Sequence, residues 1–206
     1  MDTEVLIVSK TRMNNGVCVG GIIEKTRELI RIHNANGGNL PANVPYQIGD
    51  IWKMNVEDPL YKRRAPHTED KRTIALNKIK NIGVKGIADY VNNNASNLPL
   101  VRGSIINAFM GVLNVEDTKM YVRNNNTPKY STEFWISDKD LTLYVNNWGK
   151  NYYLYDKIRV KYVGFENPIQ TIPKGTIIRL SLASWWDDGS GEEKCYLQLS
   201  GWYICE

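Results

Sequence analysis

The five residues PHTED, 66 to 70, bring together the densest set of groups able to do acid-base or metal chemistry. In an extended strand successive side chains point to opposite sides, so His67 and Glu69 would share one side and Asp70 would take the other. An imidazole and a carboxylate so placed can pass a proton or share a metal ion. His33, in ELIRIHN, is the only other histidine and would be the further ligand. The competing reading is structural: Pro66 favours a turn, and Thr68 and Asp70 are residue types whose side chains bond nearby amides. No second metal-ligand signature accompanies the pair, so the structural reading is the stronger one. His33, His67, Glu69 and Asp70 are carried forward as one candidate polar site, with no catalytic residue, metal or cofactor expected.

Other chemistry is weaker still. CVGGIIE has a glycine pair, yet neither G-x-G-x-x-G nor G-x-x-x-x-G-K-[ST] follows, so Gly20 and Gly21 predict a strand bulge instead of a phosphate loop. G-x-S-x-G is absent, and Cys18, flanked by apolar residues, reads as a core thiol. YKRR at residues 61 to 64 is the densest basic run; it reads as a solvated loop that would meet phosphates only beside a groove.

These groups must be held by strands. The 206 residues are 42% hydrophobic, enough for a packed core, and the net charge of +4 permits a polyanionic partner without demanding one. Cys18, Cys195 and Cys205 are odd in number with no C-x-x-C spacing, which argues against a disulfide scaffold and for a reduced, cytoplasmic setting. MDTEVLIVSK reads as a first strand, and no apolar run approaches the roughly 20 residues of a membrane span. Short β-branched and aromatic runs recur between Gly, Asn and Pro punctuation: EVLIVSK, GVCVGGIIE, ELIRIHN and IGDIWKMNVE, then YSTEFWIS, LTLYVNN and DKIRVKYVG. TIALNKIKNI fits a strand or a helical turn, whereas IADYVNN and VRGSIINAFMGVL read as short helices. The rhythm predicts a mainly β chain of two small barrels: residues 1–85, a helical connector over 86–117, and residues 118–206.

The C-terminal pair of strands carries the second candidate site. In IIRLSL, Ile178, Leu180 and Leu182 share one face, and in CYLQLSGW Cys195, Leu197 and Leu199 do the same, so these six face the core. The opposite face then carries Arg179, Ser181, Tyr196, Gln198 and Trp202, a mixture of stacking planes and hydrogen-bonding groups suited to bases. The alternative is that these aromatics form ordinary cross-strand pairs or close a barrel, and that reading is ranked first. Trp185 and Trp186 are adjacent and cannot both enter one core from a regular strand, so at least one is exposed or in an interface.

The stretches PKGTIIRLSLASWW and CYLQLSGWY, with TRMNNGVCVGG, LIRIHN, YQIGDIW and APHTED, resemble a prokaryotic and viral family, the dual OB-containing domain. The likeness spans residues 4 to 203. It implies two OB-like barrels and a nucleic-acid-binding or sensing component of prokaryotic conflict or antiviral systems, with a protein partner from the same defence operon. Residues and resemblance together predict a non-enzymatic protein binding single-stranded DNA or RNA through Arg179, Trp185, Tyr196, Gln198 and Trp202. Two alternatives stand beside it: a receptor or neutraliser of a small nucleotide-like ligand held between the barrels, and a metal-assisted enzyme using His67 and Glu69.

Overall fold

The computed structural model describes residues 2–13, 16–187, 189 and 191–204, so Cys205 lies outside the described residues. Strand accounts for 51% and helix for 9%, which makes the chain mainly β as expected. It divides into two compact units: Met1–Arg64 with Glu69–Leu98 and Tyr203–Glu206, and Ala65–Thr68 with Pro99–Trp202.

The first unit is built from β1 (Asp2–Met13), β2 (Gly16–Ile23), β3 (Leu29–His33), β4 (Asp50–Glu57) and β5 (Asp70–Asn81), followed by helix α1 (Gly83–Asn93). The strands close into a barrel in the order β1-β2-β3-β5-β4. Every pairing is antiparallel except β3 with β5, which is the arrangement of a five-stranded OB barrel. TIALNKIKNI is therefore strand, settled by its long ladder with β4. Leu6, Ile7, Val19, Ile22, Ile32 and Met54 are all fully buried in this unit.

The expected bulge is present, but the extra residue is Val8 on β1: the register passes from Ile7 opposite Gly21 to Ser9 opposite Gly20. A Cβ on Gly21 would stand 2.6 Å from Cγ1 of Val5. Gly21→Ala is thus expected to cost about 1–3 kcal/mol through overpacking, seen as a lower urea midpoint at unchanged slope.

The second unit holds β6 (Leu100–Gly103), two 3-10 turns (Ile105–Asn107 and Phe109–Gly111), β7 (Asn114–Glu116), β8 (Lys119–Arg123), β9 (Thr132–Ser137) and β10 (Leu141–Val145). It continues with β11 (Asn151–Tyr155), β12 (Ile158–Tyr162), β13 (Thr171–Ile172), β14 (Ile177–Leu182), β15 (Trp186–Asp187) and β16 (Glu193–Tyr203). Its sheet runs β10-β11-β12-β16-β14-β9, with β12 and β16 parallel. If β9 and β10, interrupted at residues 138–140, are two halves of one first strand, this is the order of the first barrel repeated. Both have a parallel pairing of third with fifth strand and an antiparallel pairing of first with fourth.

VRGSIINAFMGVL, expected as short helix, is helical only in two single 3-10 turns and begins as the strand β6. Positive φ angles at Gly103, Phe109, Met110 and Gly111 stop any helix from propagating. The buried Glu133 carboxylate fixes this bend by accepting from the Phe109 amide and the Tyr130 hydroxyl. The core takes Ile178, Leu180, Leu182, Cys195, Leu197 and Leu199, the faces that strand alternation assigned to it.

Candidate functional site

β12, IRVKY, buries Ile158, Val160 and Tyr162 and turns Arg159 and Lys161 outward. Its register places Lys161 opposite Tyr152 of β11 on one side and opposite Gln198 of β16 on the other. Tyr152 in turn faces Tyr144 of β10. One row of side chains, Tyr144, Tyr152, Lys161 and Gln198, therefore crosses four strands on the outer face. Arg159, two residues before Lys161 on β12, is exposed on the same outer face.

Two flanking strands complete the face. β8 pairs antiparallel with β16 and brings Lys119, whose Nζ lies 5.7 Å from the Tyr196 ring centre. β15 pairs with β16 through Trp186 and Lys194, and the Trp186 ring stands 6.1 Å from Tyr196 at 55°. Arg159 holds its guanidinium 4.8 Å from the centre of the Tyr144 ring. Between them lies an open cleft of about 430 Å³ lined by Lys119, Met120, Tyr152, Arg159, Lys161, Ala183, Trp186, Tyr196, Leu197 and Gln198. Three cations and three aromatic rings line it, with no carboxylate among its lining residues. A cleft in the first unit, about 490 Å³, has the opposite electrostatics: Asp2, Glu4 and Glu24 line it beside Lys25 and Arg27. Burial and the neighbouring Glu4 push the Glu24 carboxyl above its ordinary range.

Of the five residues expected on the binding face, Tyr196 and Gln198 line the cationic cleft, and Arg179, Trp185 and Trp202 do not. Arg179 is buried because β14 is covered on both faces, Ile177 and Arg179 as fully as Ile178 and Leu180; its Nη1 donates to Ser200 Oγ at 3.2 Å. Trp202 packs against Tyr153 and Tyr162 at 5.6 and 5.1 Å, on the core side. Strict alternation would have sent it outward with Tyr196. Trp185 is half-buried and donates its indole N–H to the Ala65 carbonyl at 2.9 Å, while Trp186 is 58% exposed.

The PHTED residues separate. His67 belongs to the second unit, where Nε2 lies 3.1 Å from the Ala183 carbonyl and 3.8 Å from the buried Cys195 Sγ. Glu69 and Asp70 belong to the first, where the parallel β3–β5 pairing sets Arg31 opposite Asp70. Arg31 grips Asp70 with two hydrogen bonds, Tyr61 donates to Oδ2 at 2.7 Å, and His33 Nε2 stands 3.3 Å from Oδ1. Burial opposes ionisation of Asp70, but the bonds from His33 and Arg31 outweigh it and hold the carboxyl well below the usual carboxylate range. Burial and the same carboxylate push the Tyr61 phenol up to about 12. A carboxylate so firmly ionised and so fully occupied is a structural hub, unsuited to proton transfer near neutrality. Among the described residues no group of three or more His, Cys, Asp or Glu converges as a metal site.

Set against known protein families, residues 3–202 match the one described as the dual OB-containing domain. The chain belongs to the dual OB-containing domain family. No match was found among curated proteins or among solved structures. Membership accords with the repeated strand order of the two units. In this dual OB chain the cationic cleft lies on the outer face of the second OB unit, and five of its chemical groups were not singled out as site residues from sequence: Lys119, Tyr152, Arg159, Lys161 and Trp186. The outward period of IRVKY was a usable signal for two of them. No helix among the described residues is long and apolar enough to cross a membrane.

Proposed function

We propose that this protein binds single-stranded nucleic acid across the β10-β11-β12-β16 face of its second unit. The observation that carries the reading is the convergence of Lys119, Arg159 and Lys161 with Tyr152, Trp186 and Tyr196 on one cleft free of lining carboxylates. Aromatic planes hold bases in any sequence at roughly 1–3 kcal/mol each, and the cations meet the phosphates between them. Gln198, at the β16 end of the row, offers both a donor and an acceptor to a base edge. A place in antiviral conflict, which the family resemblance implies, belongs to the same reading: a platform whose affinity comes mainly from stacking and phosphate contacts suits a sensor of foreign strands.

The test is a titration of a fluorescently labelled single strand of about ten nucleotides, followed by anisotropy from low to moderate salt. Three phosphate contacts predict a slope of log affinity against log salt of about −2, since each neutralised phosphate of a single strand contributes roughly −0.7. Absence of binding at low salt would overturn the proposal. A cleft of this size also falls within the range of small-ligand sites, so mononucleotides in a thermal-shift assay form the companion arm.

A further inference from the structure

The turn joining β10 to β11 presents a tryptophan in a way that packing does not require. Trp148 is 82% exposed at the tip of this turn. The turn itself is braced: the Asn146 Oδ1 accepts from the Trp148 amide at 3.1 Å and the Lys150 amide at 2.8 Å. Backbone bonds from Asn146 to Lys150 and from Gly149 to Asn146 close it, with Gly149 at φ 69° supplying the left-handed residue. An indole with no core to enter is thus carried on rigid backbone. β10 and β11 are the strands that hold Tyr144 and Tyr152, and Trp148 lies four residues from each along the chain, so at most about 13 Å from either at about 3.3 Å per residue. Val145, which pairs with Asn151 at the mouth of the turn, is itself 52% exposed, and the exposed Lys150 adds a cation beside it.

We infer that Trp148 is a second stacking station for the same strand, beyond the cleft, so that the bound strand runs from Trp186 and Tyr196 across Tyr152 and Tyr144 to the β10–β11 turn. This rests on the reading of the face as a single-strand platform and extends it by fixing the direction and length of the footprint. The charge supports a nucleic-acid occupant: Arg159, Lys161 and Lys150 follow this path, and none of the side chains named along it is a carboxylate. A ligand confined to the cleft would leave Trp148 untouched, whereas a strand of more than roughly four nucleotides, the lower end of OB site sizes, would reach it.

The experiment compares a thymidine trimer with a thymidine strand of about ten nucleotides, on the full chain and on Trp148→Ala. The parent should bind the longer strand more tightly than the trimer by more than the statistical gain in registers. Trp148→Ala should weaken the longer strand about tenfold and leave the trimer unchanged. Because the side chain is exposed, the variant should keep the parent's melting temperature. If the variant binds both strands as the parent does, Trp148 is no part of the footprint, although the cleft proposal stands. Equal weakening for both strands also overturns the extension. If the parent binds neither strand, the extension and the nucleic-acid reading fall together.

Discussion

Arg159→Glu combined with Lys161→Glu is expected to lower the affinity for a single strand by at least about a hundredfold at low salt while leaving the melting temperature nearly unchanged. Both side chains are exposed and point away from the core of β12, so the fold has little stake in them. Each is expected to donate a charge-assisted bond to a phosphate, and bonds to charged groups contribute roughly 1.5–3 kcal/mol. Losing two of them removes about 3–6 kcal/mol, and the introduced carboxylates add repulsion in a cleft whose lining has none. The salt slope should flatten as well, because fewer counterions are displaced. Anisotropy against salt reads both quantities at once. A double variant that binds as tightly as the parent would move the binding surface elsewhere.

Asp70→Asn should destabilise the first unit by about 3 kcal/mol at neutral pH, the lower end of what breaking a buried pair costs, since the Arg31 side chain keeps 23% exposure to water. The carboxylate joins β3 to β5 through Arg31 and anchors the loop between β4 and β5 through Tyr61, so three elements lose a shared acceptor. The pH dependence has a definite sign. Asp70 titrates in the folded state well below the ordinary carboxylate range, so the native state binds its proton more weakly than the unfolded chain does. Its contribution is complete above the unfolded value of roughly 4 and fades as pH falls toward the folded one. Urea midpoints measured at pH 7 and pH 3 should therefore show parent and variant converging in acid. A gap that stays constant between the two would assign the stability to packing instead of charge.

Much of the fold is legible in the chain because strand alternation is local. The core faces of β14 and β16 follow from a period of two, as do the outward positions of Arg159 and Lys161. What joins them into a site is the parallel pairing of β12 with β16, a contact between segments separated by three further elements, and no local pattern announces which strands become neighbours. The same is true of Asp70, whose partners arrive through the parallel β3–β5 pairing: His33 and Asp70 meet, but His67, three residues before Asp70, turns to another unit. Trp202 and Arg179 show where the period itself misleads. Trp202 packs on the core rings Tyr153 and Tyr162, and a strand covered on both faces buries a charged residue that alternation alone would place in solvent.

The short segment Ala65–Thr68 belongs to the second unit although it lies between stretches of the first, and Tyr203 closes the chain back in the first, where its hydroxyl donates to the Val8 carbonyl. The two OB units are consequently not modular in the genetic sense. A single cut between Leu98 and Pro99 would strand the Ala65 carbonyl, the acceptor for Trp185, and His67 on the wrong piece, and would carry Tyr203 away from Val8. Recombination that shuffles one barrel into another protein would have to move two separate stretches of sequence together, which ties the inheritance of the cleft-bearing unit to that of its companion.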